Sequence, residues 1–212
     1  MKKWKYVVPL CFVLLLSACS FGETTEEKLS NILTEIYNLE AGYRDVQTQL
    51  AETEQKEQAN FQSMMELTKD QKEELTAQVE KTAQLLKERL VLVEKEASSI
   101  KSASDKQTDI DKLLSETKEE SEKASIQKVE NALKDRYDAY EELTEHYNAL
   151  ANLQKSLYDM LIEESADVTT IQKQVEEVNK QNEVVQQSVA KFNELTSELN
   201  TVKDEVFTAL QK

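Results

Sequence analysis

The last glycine of the chain is Gly42 and its one proline is Pro9, so no residue from 43 to 212 is either. Tight turns, two-residue hairpins and β-bulges draw heavily on those two residues. A stretch of that length without them does not fold into short strands and reversals. Long helices with few connections remain, and the abundance of Glu, Lys and Gln, all good helix formers, agrees. An acidic, aromatic-poor chain is also the signature of disorder. Periodicity separates the two.

Val168, Ile171, Val175, Val178, Asn182, Val185, Val189, Phe192, Thr196, Leu199, Lys203, Val206 and Leu210 follow alternating steps of three and four, and ten of these thirteen are apolar. A seam sustained over six heptads is a packed helix of coiled-coil type. One apolar stripe does not offset the entropy of ordering so long a backbone, so this helix needs partners. Asn182 reads as a register-setting polar residue or as a buried, locally paired amide.

The first segment has the same design. Thr24 and Glu27 form a capping box. Leu29, Ile32, Ile36, Leu39, Tyr43, Val46 and Leu50 make the stripe, and Gly42 lies off it, where it allows close packing or a slight kink. Residues 51–60 are polar, which predicts an exposed or frayed end before Phe61, Met64, Met65 and Leu67. Thr68/Gln71 offers a second capping box, ahead of a stripe from Leu75 to Ile100. Further boxes stand at Ser104/Gln107 and Thr117/Glu120, and equal helix lengths place the next turn within 115–122. A third stripe runs from Ile126 to Leu161 and includes Arg136, Tyr140 and Tyr147. Residues 163–170 break it, with Asp167 or Thr169 as the next N-cap. Short connections make neighbours antiparallel. The expected fold is all-α: an elongated up-and-down antiparallel bundle of four long helices over 25–212, with coiled-coil-like packing. Three helices, one of them very long, also fit the pattern.

The chain offers little chemistry. His146 is its one histidine, and a lone histidine on a helix is more often satisfied or solvated than a ligand. No phosphate loop, nucleophile elbow or H-E-x-x-H helix is present. The expectation is a non-enzyme with no cofactor and no metal. The one local concentration is aromatic: Tyr140 and Tyr147 sit on the seam, while Tyr137 and Tyr158 lie off it beside Arg136. Arg136, Tyr137 and Tyr158 are therefore the candidate ligand contacts, as a set able to stack on sugar rings; helix-packing tyrosines are the plainer alternative.

The N-terminus carries the most specific motif. Lys2, Lys3 and Lys5 precede an apolar run from Val7 to Leu16, too short to span a bilayer, and Leu16-Ser17-Ala18-Cys19 follows. This resembles a bacterial lipoprotein signal. The resemblance implies removal of residues 1–18, a thioether-linked diacylglycerol on Cys19 as the lipid attachment, and a short linker over 19–24. Two acyl chains make a stable anchor where one does not. The formal charge is −15, and loss of three lysines with the signal makes it −18. Such a charge excludes nucleic acid, whose binding rests on basic side chains, and turns the body away from an anionic membrane.

With its lipobox Leu16–Cys19, its helical body, the stretch Arg136-Tyr137-Asp138-Ala139-Tyr140, and Tyr147 and Leu157-Tyr158 further on, the chain resembles the cell-wall-binding lipoproteins of Gram-positive bacteria (YkyA-like). The resemblance implies a long antiparallel bundle on the outer face of the cytoplasmic membrane. The expected role is a cell-wall-binding protein or envelope spacer or adaptor, with an extracytoplasmic protein-binding or chaperone-like scaffold as the alternative. The expected partners are the membrane, through Cys19, and peptidoglycan or another envelope protein.

Overall fold

The computed structural model describes residues 22–68, 70–163 and 167–211. The lipobox and Cys19 lie outside the described residues. Six helices are formed: α1 (Thr25–Leu39), α2 (Ala41–Met65), α3 (Lys72–Ser104), α4 (Gln107–Glu116), α5 (Glu120–Ile162) and α6 (Val168–Leu210). Among the described residues there is no strand. The six helices make four long arms in an up-and-down bundle, because α1 with α2 and α3 with α4 are each one arm with a break. The 43 residues of α5 give a rod about 65 Å long.

The first break is at Glu40, and its cause is Ser99 of α3. The Ser99 hydroxyl donates to the Leu39 carbonyl at 2.7 Å and accepts the Tyr43 N–H at 3.0 Å. It is inserted between the two groups that would bond each other in an unbroken helix. Gly42 makes the approach possible: a Cβ there would lie 3.1 Å from Ser99 Cβ. Close packing, one of the two alternatives for Gly42, and the interruption of the helix thus have one origin. The second break is at Asp105–Lys106, where Lys106 binds Asp109 in its own helix at 2.7 Å and Glu35 of α1 at 2.5 Å.

Two predicted caps form and three are used differently. Thr24 and Glu27 complete their box, and Asp167 accepts from the Thr170 N–H at 3.0 Å. Thr68 and Gln71 form only half a box, through the Thr68 N–H, and the helix starts after them at Lys72. Ser104 and Gln107 join side chain to side chain at 3.4 Å without capping α4. Thr117 turns back, donating to the Leu113 carbonyl at 2.8 Å, and so closes α4 instead of opening α5. The turn between the second and third arms is at residues 117–119, within the predicted range.

The bundle is sealed at one end and open toward the other. Near Thr25 all four arms meet: Thr25 donates to Glu122 at 2.7 Å, Lys28 pairs with Glu116 at 3.7 Å, and Gln211 donates to Glu26 at 3.0 Å. Leu29, Ile110, Ile126, Val129 and Leu133 fill this half and are essentially solvent-free. In the other half the first arm packs on α3, α3 on α5, and α5 on α6, but α2 makes no comparable contact with α6. No residue of α6 before Val185 is buried. Of its seam, Val185, Phe192, Leu199 and Val206 are buried at seven-residue spacing, while Val168 and Val189 are exposed.

Polar contacts hold the outer half of α6 to α5. Gln174 donates to the Leu153 carbonyl at 2.8 Å and Gln181 to the His146 carbonyl at 3.0 Å. The Ser188 hydroxyl lies between the Val184 carbonyl of its own helix, at 3.1 Å, and His146 Nδ1 of α5, at 2.8 Å. These three also stand seven residues apart, in a row the apolar pattern does not reveal.

Candidate functional site

Two Arg–Glu–Tyr clusters are buried along the rod, each built around a carboxylate of the first arm. In the sealed half Arg136 of α5 grips Glu40 with two nitrogens, at 2.6 and 3.2 Å, and Tyr137 donates to the same carboxylate at 3.0 Å. Arg136 also donates to Thr196 of α6 at 3.0 Å, and its guanidinium lies 4.8 Å from the Phe192 ring centre. In the open half Tyr158 of α5 donates to Glu57 at 2.7 Å, and Arg89 of α3 approaches the other Glu57 oxygen at 3.2 Å. Arg89 also donates to Gln154 and lies 5.2 Å from the Tyr147 ring centre. Tyr147 donates in turn to Glu54. Burial, and then the neighbouring carboxylates, push the Tyr137 and Tyr158 hydroxyls well above the usual phenol range. Burial also raises Glu57, against the pull of Arg89 and Tyr158.

Between α2 and α6, where the bundle stays open, runs a cleft of about 600 Å³. Its floor is α5 and α3, with Tyr147, Leu150, Leu157, Tyr158 and Arg89; its walls include Glu54, Gln58 and Phe61 on one side and Val178, Asn179, Asn182 and Gln186 on the other. Toward the sealed half it narrows into a space of about 230 Å³ lined by Tyr43, Glu96, Tyr140 and Asn193, and the two share Glu54, Tyr147 and Val189. Glu96 is buried, accepts from Gln47, and is pushed up to about 7 by burial and by Glu54 beside it. Among the described residues no group of three or more His, Cys, Asp or Glu is placed to hold a metal ion.

The structure separates the residues that the sequence grouped. Arg136 and Tyr137 are buried with their polar atoms committed to Glu40. Neither presents a face to a ligand, contrary to the expectation. Tyr158 is 21 residues further along α5, about 30 Å away, and only 2% exposed at the cleft floor. The reason is geometric: α5 contacts α3, α4 and α6, so its buried face is wider than a three-four stripe and takes in positions 137 and 158. Asn182 is exposed in the cleft wall, neither a register device nor a buried amide. Residues 51–60 are helical and not frayed, because Thr53 and Glu57 are buried within that polar run. Beyond that run Met64 is buried and Met65 exposed. Glu40, Glu54, Glu57, Arg89 and Glu96 escaped the sequence reading.

The comparisons agree with this architecture. Over 196 residues the chain is 24% identical to "Uncharacterized lipoprotein YkyA" of Bacillus subtilis (strain 168), covering 92% of this chain and 87% of that protein. The fold is similar to that of a Staphylococcus aureus protein described as "a Conserved Protein of Unknown Function", whose crystal structure superposes with a TM-score of 0.72. That match has 15% identity and covers 87% of this chain and 96% of the other. A family profile described as "Putative cell-wall binding lipoprotein" matches residues 24–209, and the chain therefore belongs to that family, YkyA.

Proposed function

We propose that this protein is an extracytoplasmic lipoprotein, fixed to the outer face of the cytoplasmic membrane by diacylglyceryl Cys19, that binds the cell wall and acts as a spacer or adaptor without catalysing a reaction. The supporting observation is the position of the cleft relative to the chain start. Cys19 precedes α1 by six residues, a tether of at most about 20 Å, and α1 begins at the sealed end. The lipid then holds that end at the membrane, and the open half points outward. No helix among the described residues is long and apolar enough to cross a membrane, so attachment in this reading rests on the lipid. Two acyl chains suffice for it.

Two measurements test the proposal. Cys19→Ala is expected to move the protein from the membrane to the soluble fraction and to abolish metabolic labelling with a fatty acid; unchanged retention contradicts the anchor. Purified wall sacculi, with and without teichoic acid, are expected to retain the full chain. Passage through both contradicts wall binding. Teichoic acids and this body are both anionic, so stripped sacculi should retain it at least as well.

A protein-binding scaffold is favoured by a different feature. Met65, Ile162 and Val168 are exposed apolar side chains at the helix ends furthest from Thr25. Crosslinking in cells from those positions to one defined protein would favour this reading over wall binding.

A further inference from the structure

Resting on the wall-binding reading above, we infer that the cleft between α2 and α6 is a glycan site, taking an uncharged, hydroxyl- and amide-bearing sugar chain. Its walls carry amides free to serve such a ligand. Gln58 faces from α2, and Asn179, Asn182 and Gln186 from α6; all four are exposed and none has a partner among the described residues. Each offers donors and an acceptor, and a sugar hydroxyl needs both. Phe61 on the α2 wall and Tyr147 on the floor, both half-buried, supply aromatic surface, suited to the apolar faces of pyranose rings. The volume of about 600 Å³ falls within the roughly 300–1,000 Å³ of small-ligand sites.

Charge disfavours a polyanion and offers a polycation little. Among the described residues Arg89 is the one cationic side chain lining the cleft, and Glu57 already faces it at 3.2 Å. A phosphate polymer finds no free cation there. A basic peptide gains little: Glu57 is matched by Arg89, which leaves Glu54, accepting from Tyr147, as the one lining carboxylate among the described residues without a cation. A fifth helix presenting an apolar stripe would bury the four amides without partners, which is unfavourable.

The test is titration of the full lipidated chain in nanodiscs with chitotetraose, an uncharged N-acetylated amino-sugar tetramer, read by calorimetry. The comparison is Gln58→Leu/Asn182→Leu, two exposed positions whose amides bond nothing among the described residues, so the fold is kept. Binding by the wild type that weakens at least tenfold in the double variant, with an unchanged thermal midpoint, is the expected result. No binding at millimolar sugar overturns the inference, as does equal binding by the variant. So does pentalysine or poly(glycerol phosphate) binding that the double variant loses. Sacculus retention is measured alongside. Wild type and variant retained equally would leave wall binding in place and remove the cleft from it, whereas no retention of the wild type would defeat the wall-binding reading itself.

Discussion

Arg136→Met is expected to destabilise the protein by about 3–5 kcal/mol, the usual cost of removing one partner from a buried ion pair. Glu40 would be left buried, keeping only the Tyr137 hydroxyl as a donor. The loss falls where α1, α2, α5 and α6 meet, since Arg136 also bonds Thr196 and packs on Phe192. Most of it is the penalty of an orphaned carboxylate and not the worth of the pair. Glu40→Leu added to Arg136→Met should therefore recover much of the stability. The remaining deficit belongs to the Tyr137 hydroxyl, about 1–3 kcal/mol for an unsatisfied buried group, and Tyr137→Phe should remove it. Urea unfolding of the single, double and triple variants checks the order. A single variant as stable as wild type would show that the pair is not buried in solution.

Glu96→Gln is expected to stabilise the protein at pH 8 and to flatten its stability between pH 5 and pH 8. In the folded protein Glu96 is pushed up to about 7, from an ordinary value of 4.5. Between those values the folded state keeps a proton that the unfolded state has released. The stability Glu96 contributes is thus full below about pH 4.5 and is lost as the pH rises through about 7. The span corresponds to about 3 kcal/mol. The groups facing Glu96 explain why ionisation is so unwelcome: Gln47, Glu54 and Tyr43 on α2 and Tyr140 on α5 surround the site, and no cation among the described residues pairs with it. Glutamine leaves no charge to desolvate. Thermal midpoints across the pH range should fall for the wild type and change less for the variant; parallel curves would contradict the assignment.

These pairings mark where the sequence stops being legible. The helices could be read because periodicity is local: each stripe reports the spacing of its own side chains. The turn at 117–119 and the caps at Thr24 and Asp167 are equally local. Glu57 with Arg89 and Glu40 with Arg136 join residues far apart in the chain, and a carboxylate among forty others gives no sign of being buried. The arginines did carry a signal. The chain uses lysine almost throughout and has three arginines, Arg44, Arg89 and Arg136. All three stand over a tyrosine ring: Tyr37 at 3.8 Å, Tyr147 at 5.2 Å and Tyr137 at 5.4 Å. A planar, weakly hydrated cation suits such places better than an ammonium, so arginine in a lysine-rich chain was the mark to follow. The cleft left no sequence mark, because it arises from α2 failing to meet α6.

Spin labels on two residue pairs would test that opening most directly: Glu26 with Gln211 at the sealed end, and Gln58 with Asn182 across the cleft. The account predicts a short, narrow distance for the first pair, whose native side chains bond at 3.0 Å, and a clearly longer one for the second. Equal short distances would mean that α2 and α6 close along the whole rod, and would contradict it.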